Sequence, residues 1–110
     1  MAEKKQVEQD LAQMQLIQQN LQNILLQKQQ FQMQLNEIDS ALTELKDSEK
    51  AYKIVGNLMI AAPKKELEKD LKDKKQTFEL RIKNLESQEE KFKNKLEDMQ
   101  KSVSQELKGK

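Results

Sequence analysis

The sequence predicts a mainly α protein, a long antiparallel two-helix coiled coil with one β-hairpin at the bend. Three observations predict it. Two heptad registers flank a short β-rich segment. The residue numbers of apolar partners across the two registers add to one constant. The same constant is given by Gly56 and Asn57, the strongest turn dipeptide in the chain. A chain that folds back about the point between residues 56 and 57 satisfies all three.

In the first helix, expected over residues 1–48, Val7 starts an a series of Val7, Met14, Leu21, Lys28, Leu35 and Leu42. The d series is Asp10, Ile17, Ile24, Phe31, Ile38 and Leu45. Only Asp10 and Lys28 interrupt the apolar seam, and no Pro or Gly falls inside it, as a coiled coil requires. About 40 residues of such a helix, at 1.5 Å per residue, predict an arm of roughly 60 Å.

In the second helix, expected over 63–110, the d series is Leu71, Phe78, Leu85, Phe92 and Met99. The a series is Lys75, Ile82, Glu89, Leu96 and Val103. Folding the chain at residues 56 and 57 sets Met14 against Met99, Leu21 against Phe92, Leu35 against Phe78 and Leu42 against Leu71. Lys28 and Glu89 then lie about one turn apart on opposite seams. Two readings stand side by side: an ion pair that fixes register at some cost in stability, or a stray polar layer.

Between the helices, over 49–62, the heptad stops and β-branched and aromatic residues replace Gln, Glu and Lys. Gly56 precedes Asn57 between two apolar runs, which fits a two-residue type II′ hairpin, and Pro63 suits the first turn of the following helix. Pairing the strands about this turn puts Tyr52, Ile54, Met59 and Ala61 on one face. Val55, Leu58 and Ile60, with Lys53, fall on the other. A lone hairpin with two apolar faces and open edges is marginal in water. Tyr52, Ile54, Val55, Leu58, Met59 and Ile60 are therefore the expected oligomerisation residues, joining hairpins of several subunits into a larger sheet or intersubunit β-barrel.

Composition narrows function by exclusion. Charged and apolar residues each make up 35% of the chain, which leaves a buried stripe but no large globular core. Without Cys or His, thiol chemistry, imidazole catalysis and the usual zinc sites are excluded. No Gly-rich phosphate loop or sheltered carboxylate cluster is legible. No enzyme activity, cofactor or metal is therefore expected. The net charge of +1, with Arg81 the only arginine and acidic residues interleaved with the lysines, argues against a nucleic-acid partner. No apolar run approaches a membrane span, and the polar N-terminus has no signal-like core, so a cytoplasmic protein without a membrane partner is expected.

Several apolar residues lie off the seam of the first helix: Leu11 and Leu25 at e, Leu16 at c, Leu26 and Met33 at f. From Leu11 through Asn36 the sole charge is Lys28. Such a face can be approached by an unfolded apolar segment without displacing strongly hydrated ions. Val7, Leu11, Met14, Leu16, Met99, Val103 and Leu107, near the outer helix ends, are the candidate client-binding residues. Ordinary seam packing of Val7, Met14, Met99 and Val103 is the competing reading.

The run Ala51-Tyr52-Lys53-Ile54-Val55-Gly56-Asn57-Leu58-Met59-Ile60, together with Arg81-Ile82-Lys83-Asn84-Leu85-Glu86-Ser87-Gln88-Glu89-Glu90, resembles the β-class subunits of prefoldin, especially archaeal ones. The resemblance covers essentially the whole chain and implies a single prefoldin-like domain over 1–110. It implies an ATP-independent holdase that keeps unfolded polypeptides from aggregating and passes them to a group II chaperonin. It further implies a hexamer of two α-class and four β-class subunits, with coiled-coil arms hanging from paired β-barrels. Under it, Lys101, Lys108 and Lys110 are candidates for docking on the chaperonin, with a solvated tail as the alternative. A structural or tethering coiled-coil oligomer without chaperone activity is the rival function.

Overall fold

The computed structural model describes residues 2–108, with side chains from residue 5 onward. Helix α1 runs Ala2–Asp47, strand β1 Ala51–Val55, strand β2 Leu58–Ala62 and helix α2 Lys64–Lys108. The two strands pair antiparallel in the expected register, Ala51 with Ala62, Tyr52 with Ala61, Lys53 with Ile60, Ile54 with Met59 and Val55 with Leu58. The expected mainly α fold with one hairpin at the bend is what forms.

Gly56 has φ +61°, and no other described residue has a positive φ. A type I′ turn needs positive φ at both central residues, whereas type II′ needs it only at the first. Gly56-Asn57 is therefore a II′ turn, with glycine where an L side chain would be strained.

The chain divides into two compact units. One is Gln29–Lys83, containing the hairpin; the other joins the residues up to Lys28 with those from Asn84 onward. In the hairpin unit, Leu35 and Ile38 of α1 are buried, and Phe31, Leu42, Leu45, Leu71, Phe78 and Ile82 are half-buried. The rings of Phe31 and Phe78 meet at 5.6 Å between centroids, tilted by 32°. Such aromatic pairs contribute about 0.5–1.5 kcal/mol beyond area burial. The Arg81 guanidinium stands over the Phe31 ring, 5.7 Å from its centroid, so the single arginine makes a cation–π contact with the seam.

Lys75, at a seam a position, escapes the apolar layer by reaching Asp39 at 2.7 Å. The Asp39 carboxylate, through its hydrogen bond and its charge, raises the Lys75 pKa above the ordinary lysine value. At the base of the hairpin, Lys64 Nζ donates to the Lys46 carbonyl at 2.9 Å. That carbonyl lies in the last turn of α1, where intrahelical donors run out. Pro63 stands just before α2, and its own carbonyl accepts the first helical bond from Leu67 N–H at 3.2 Å.

In the other unit, Ile17, Ile24 and Val103 are buried; Val7, Met14, Leu21, Phe92, Leu96 and Met99 are half-buried. The two seam charges also meet here: Lys28 Nζ is 3.5 Å from Glu89 Oε1 and 3.9 Å from Glu86 Oε1. The contact is the ion pair anticipated as one of the two readings of Lys28.

Candidate functional site

The hairpin is the most exposed apolar element of the chain. Tyr52 is 54% exposed, Ile54 70%, Leu58 67% and Met59 69%, with Val55 and Ile60 near half. The register puts Ile54 beside Met59 and Tyr52 beside Ala61 on one face, and Val55 beside Leu58 and Lys53 beside Ile60 on the other. Each face therefore offers adjacent apolar pairs to solvent. Exposed apolar surface of this kind, bounded by open strand edges, marks an interaction surface.

The candidate client-binding residues all lie in the unit formed by the helix ends. Leu11, Leu16 and Leu107 are exposed there, Leu107 at 64%. Val7, Met14 and Met99 are half-buried, and Val103 is buried in the seam. The group thus consists of three outward leucines and four residues whose apolar surface is wholly or partly spent on the seam. Leu25, Leu26 and Met33 are also exposed. Leu80 of α2 is exposed as well, at 59%, and the heptad reading passed over it. Its f position was the available signal.

Among the lysines considered for docking, Lys101 is exposed and reaches Glu97 one turn earlier at 3.4 Å. Lys108 is exposed in the last turn of α2, where a positive charge complements the helix dipole. Lys110 lies outside the described residues. Among the described residues no helix is long and apolar enough to cross a membrane.

Comparison with known proteins agrees with this geometry over nearly the whole length. The family model for prefoldin subunits matches residues 8–110. The prefoldin subunit beta of Archaeoglobus fulgidus is 38% identical over 101 residues, covering 89% of this chain and 87% of that protein.

The chain belongs to the prefoldin subunit family.

Other prefoldin relatives lie at a similar distance. The prefoldin subunit beta of Sulfolobus acidocaldarius is 36% identical, covering 89% of this chain and 81% of its own length. The solved structure of the prefoldin beta subunit from Thermococcus strain KS-1 superposes with a TM-score of 0.83 at 37% identity, covering 89% of each chain. The fold and the family expected from the hairpin motif are thereby borne out. Prefoldin subunits are chaperone subunits.

Proposed function

We propose that this chain is a β-class subunit of an ATP-independent holdase that binds unfolded polypeptides and prevents their aggregation. One observation carries the reading: a chain matching prefoldin beta subunits along most of its length exposes an apolar hairpin on both faces. A surface so costly in water calls for neighbours, and the family supplies them as hetero-oligomers with other prefoldin subunits. The assembly proposed is the cytoplasmic hexamer of two α-class and four β-class subunits, its hairpins closing into β-barrels. Closure removes the open strand edges.

Clients would be held at the helix ends, with Leu11, Leu16 and Leu107 as the open contacts. Val7, Met14, Met99 and Val103 join them where fraying uncovers the seam. Loose leucine and methionine surface repacks around varied sequences, as a holdase needs. Delivery to a group II chaperonin would use Lys101, Lys108 and Lys110, and such exposed charge contacts weaken as salt rises.

The test is suppression of light scattering from a chemically denatured client enzyme, with and without ATP. The assembled complex containing full-length chain is compared with one lacking residues 1–15 and 100–110. Suppression by the full-length assembly alone, equal with and without nucleotide, is the expected result. Undiminished suppression by the truncated assembly would refute client contact at the helix ends. Correct assembly with no suppression at all would favour the tethering coiled coil.

A further inference from the structure

Charged residues on seam positions are partnered almost throughout the chain. Lys28 reaches Glu89 at 3.5 Å, Lys75 reaches Asp39 at 2.7 Å and Glu68 takes Lys72 at 2.9 Å. Lys64, one heptad before Leu71, donates to the Lys46 carbonyl at 2.9 Å. Asp10 in α1, and Glu106 one heptad after Met99 in α2, depart from this pattern. Both are d residues and both are half-buried. Asp10 accepts a hydrogen bond from the neutral amide of Gln6 at 3.1 Å. Glu106 Oε2 is buried and has no hydrogen-bond partner among the described residues. Lys5, Lys101 and Lys108 occupy f positions on the outer side of their helices and are exposed, and Lys101 is taken by Glu97 at 3.4 Å.

The fold-back about residues 56 and 57 sets Asp10 against Val103 and Glu106 against Val7. The two carboxylates therefore occupy consecutive layers of the seam, on opposite helices. Lys28 and Glu89 stand in the same relation, since Lys28 falls against Leu85 and Glu89 against Ile24, and their side chains meet. Side chains in consecutive layers are thus within reach of one another. Near the helix ends that relation joins two charges of the same sign. Their desolvation and repulsion cost free energy while the seam is closed, and water relieves both when it opens. The apolar residues of the same two layers, Val7 and Val103, are the first that opening uncovers, and Met14 and Met99 form the layer behind them.

We infer that Asp10 and Glu106 are positioning residues for client holding: their like charges populate an open form of the outermost seam layers and so uncover Val7, Met14, Met99 and Val103. This rests on the reading above that clients are held at the helix ends.

Two quantities are read on the assembled complex containing the full-length chain. Backbone amide exchange over residues 7–17 and 96–106, followed by mass spectrometry, reports opening. Suppression of light scattering from a denatured client reports holding. Asp10→Leu with Glu106→Leu should slow exchange in both segments about ten-fold, equivalent to roughly 1.4 kcal/mol on the opening equilibrium, and weaken suppression several-fold. Asp10→Lys alone sets opposite charges in the two layers and should act in the same direction. Asp10→Lys with Glu106→Lys restores like charges with the sign reversed, and should return both quantities toward wild type, as should Asp10→Glu. A role in packing alone would follow side-chain size and ignore sign.

Lys4→Gln with Lys110→Gln should leave exchange nearly unchanged. Faster exchange in that variant would show that a lysine already neutralises Glu106, and would overturn the inference. Exchange equal in all the charge variants would overturn it as well. If that happens while removal of residues 1–15 and 100–110 still abolishes suppression, the helix-end reading stands and only the role of Asp10 and Glu106 falls. If exchange follows the sign of the charges while suppression stays at wild type throughout, the uncovered seam holds no client, and the proposed role falls together with that part of the reading.

Discussion

Lys28 Nζ of α1 lies 3.5 Å from Glu89 Oε1 of α2, and each residue occupies a seam position where its neighbours along the helix are apolar. Both side chains are mostly covered, at 23% and 19% exposure. Glu86, at 3.9 Å, and Lys93, at 3.6 Å from Glu89, extend the pair into a small network that reaches solvent. Such a layer contributes little net stability, because desolvation offsets most of the attraction. Its effect is on register. A slip of one heptad sets Lys28 beside Leu96 and Glu89 beside Leu35, and leaves both charges unpaired among apolar side chains. That penalty adds to the pairing of the hairpin in separating the native alignment from the slipped one.

The double substitution Lys28→Leu with Glu89→Leu should therefore raise stability, by about 1–2 kcal/mol given the partial exposure of the pair, and lower structural uniqueness. Thermal melts followed by helix circular dichroism check the first part. Cysteines placed across the native seam, oxidised in the wild-type and doubly substituted backgrounds, check the second. Cross-links in the native register alone, in both backgrounds, would show that the apolar seam sets register without the pair.

Gly56 at φ +61° has nothing within 4 Å of the place a Cβ would occupy. A substitution there meets a backbone cost and no steric one. Gly56→Ala should destabilise the hairpin by about 1–2 kcal/mol, and Gly56→Asn by less, since Asn tolerates the left-handed region better. Gly56 lies nine residues past the end of α1 and eight before the start of α2, outside both helices, so helix content should hold while assembly weakens. Circular dichroism with native mass spectrometry reads both quantities on one sample.

Much of this fold was legible in the sequence because two periodicities constrain it independently. Every a and d position from Val7 to Leu45, and from Leu71 to Val103, is buried or half-buried, including the polar Asp10, Lys28, Lys75 and Glu89. The midpoint at Gly56 and Asn57 then fixes the strand register without further information. Partner choice within the seam was less legible. Folding at residues 56 and 57 sets Leu35 against Phe78, yet it is the ring of Phe31 that packs on Phe78. Large side chains reach one turn up or down the facing helix, and residue spacing alone cannot say which way. The same reach lets Lys75 leave the seam for Asp39, a pairing no heptad position announces. The helix-end site was legible only as a surplus of apolar residues, because periodicity distinguishes seam from surface and carries no record of what the surface touches.

The Lys75 and Asp39 pair makes a pH-dependent contribution of known sign. A lysine whose pKa is raised in the folded state adds stability that is fully present below the ordinary lysine value and is lost as pH rises through the raised one. The contribution is therefore constant through neutral pH and fades only in strongly alkaline solution. Asp39→Asn should bring the Lys75 titration, followed by side-chain nitrogen NMR, back toward the ordinary lysine value. Because the pair is open to solvent, stability at pH 7 should fall only slightly. A Lys75 titration unmoved by Asp39→Asn would mean that another group holds its proton.

Leu11, Leu16 and Leu107 are exposed, whereas Val103 sits in the seam at 8% exposure, and this difference separates client contact from packing. Exposed leucines add little to folding, so Leu11→Gln, Leu16→Gln and Leu107→Gln together should change the melting temperature only slightly. They remove apolar area from the face on which a client would lie, and should weaken aggregation suppression several-fold. Val103→Ala deletes buried methyl groups at a cost of about 1.5 kcal/mol. It should lower the melting temperature while leaving suppression near wild type well below the melt. If the triple glutamine variant suppressed aggregation fully and Val103→Ala did not, the seam residues uncovered by fraying, and not the outward leucines, would be the client surface. A holdase that binds through its fraying ends would also lose activity when those ends are stapled. Cysteines at Met14 and Met99, two half-buried seam positions, provide that staple: oxidation should abolish suppression if the frayed seam holds the client and spare it if the outward leucines do.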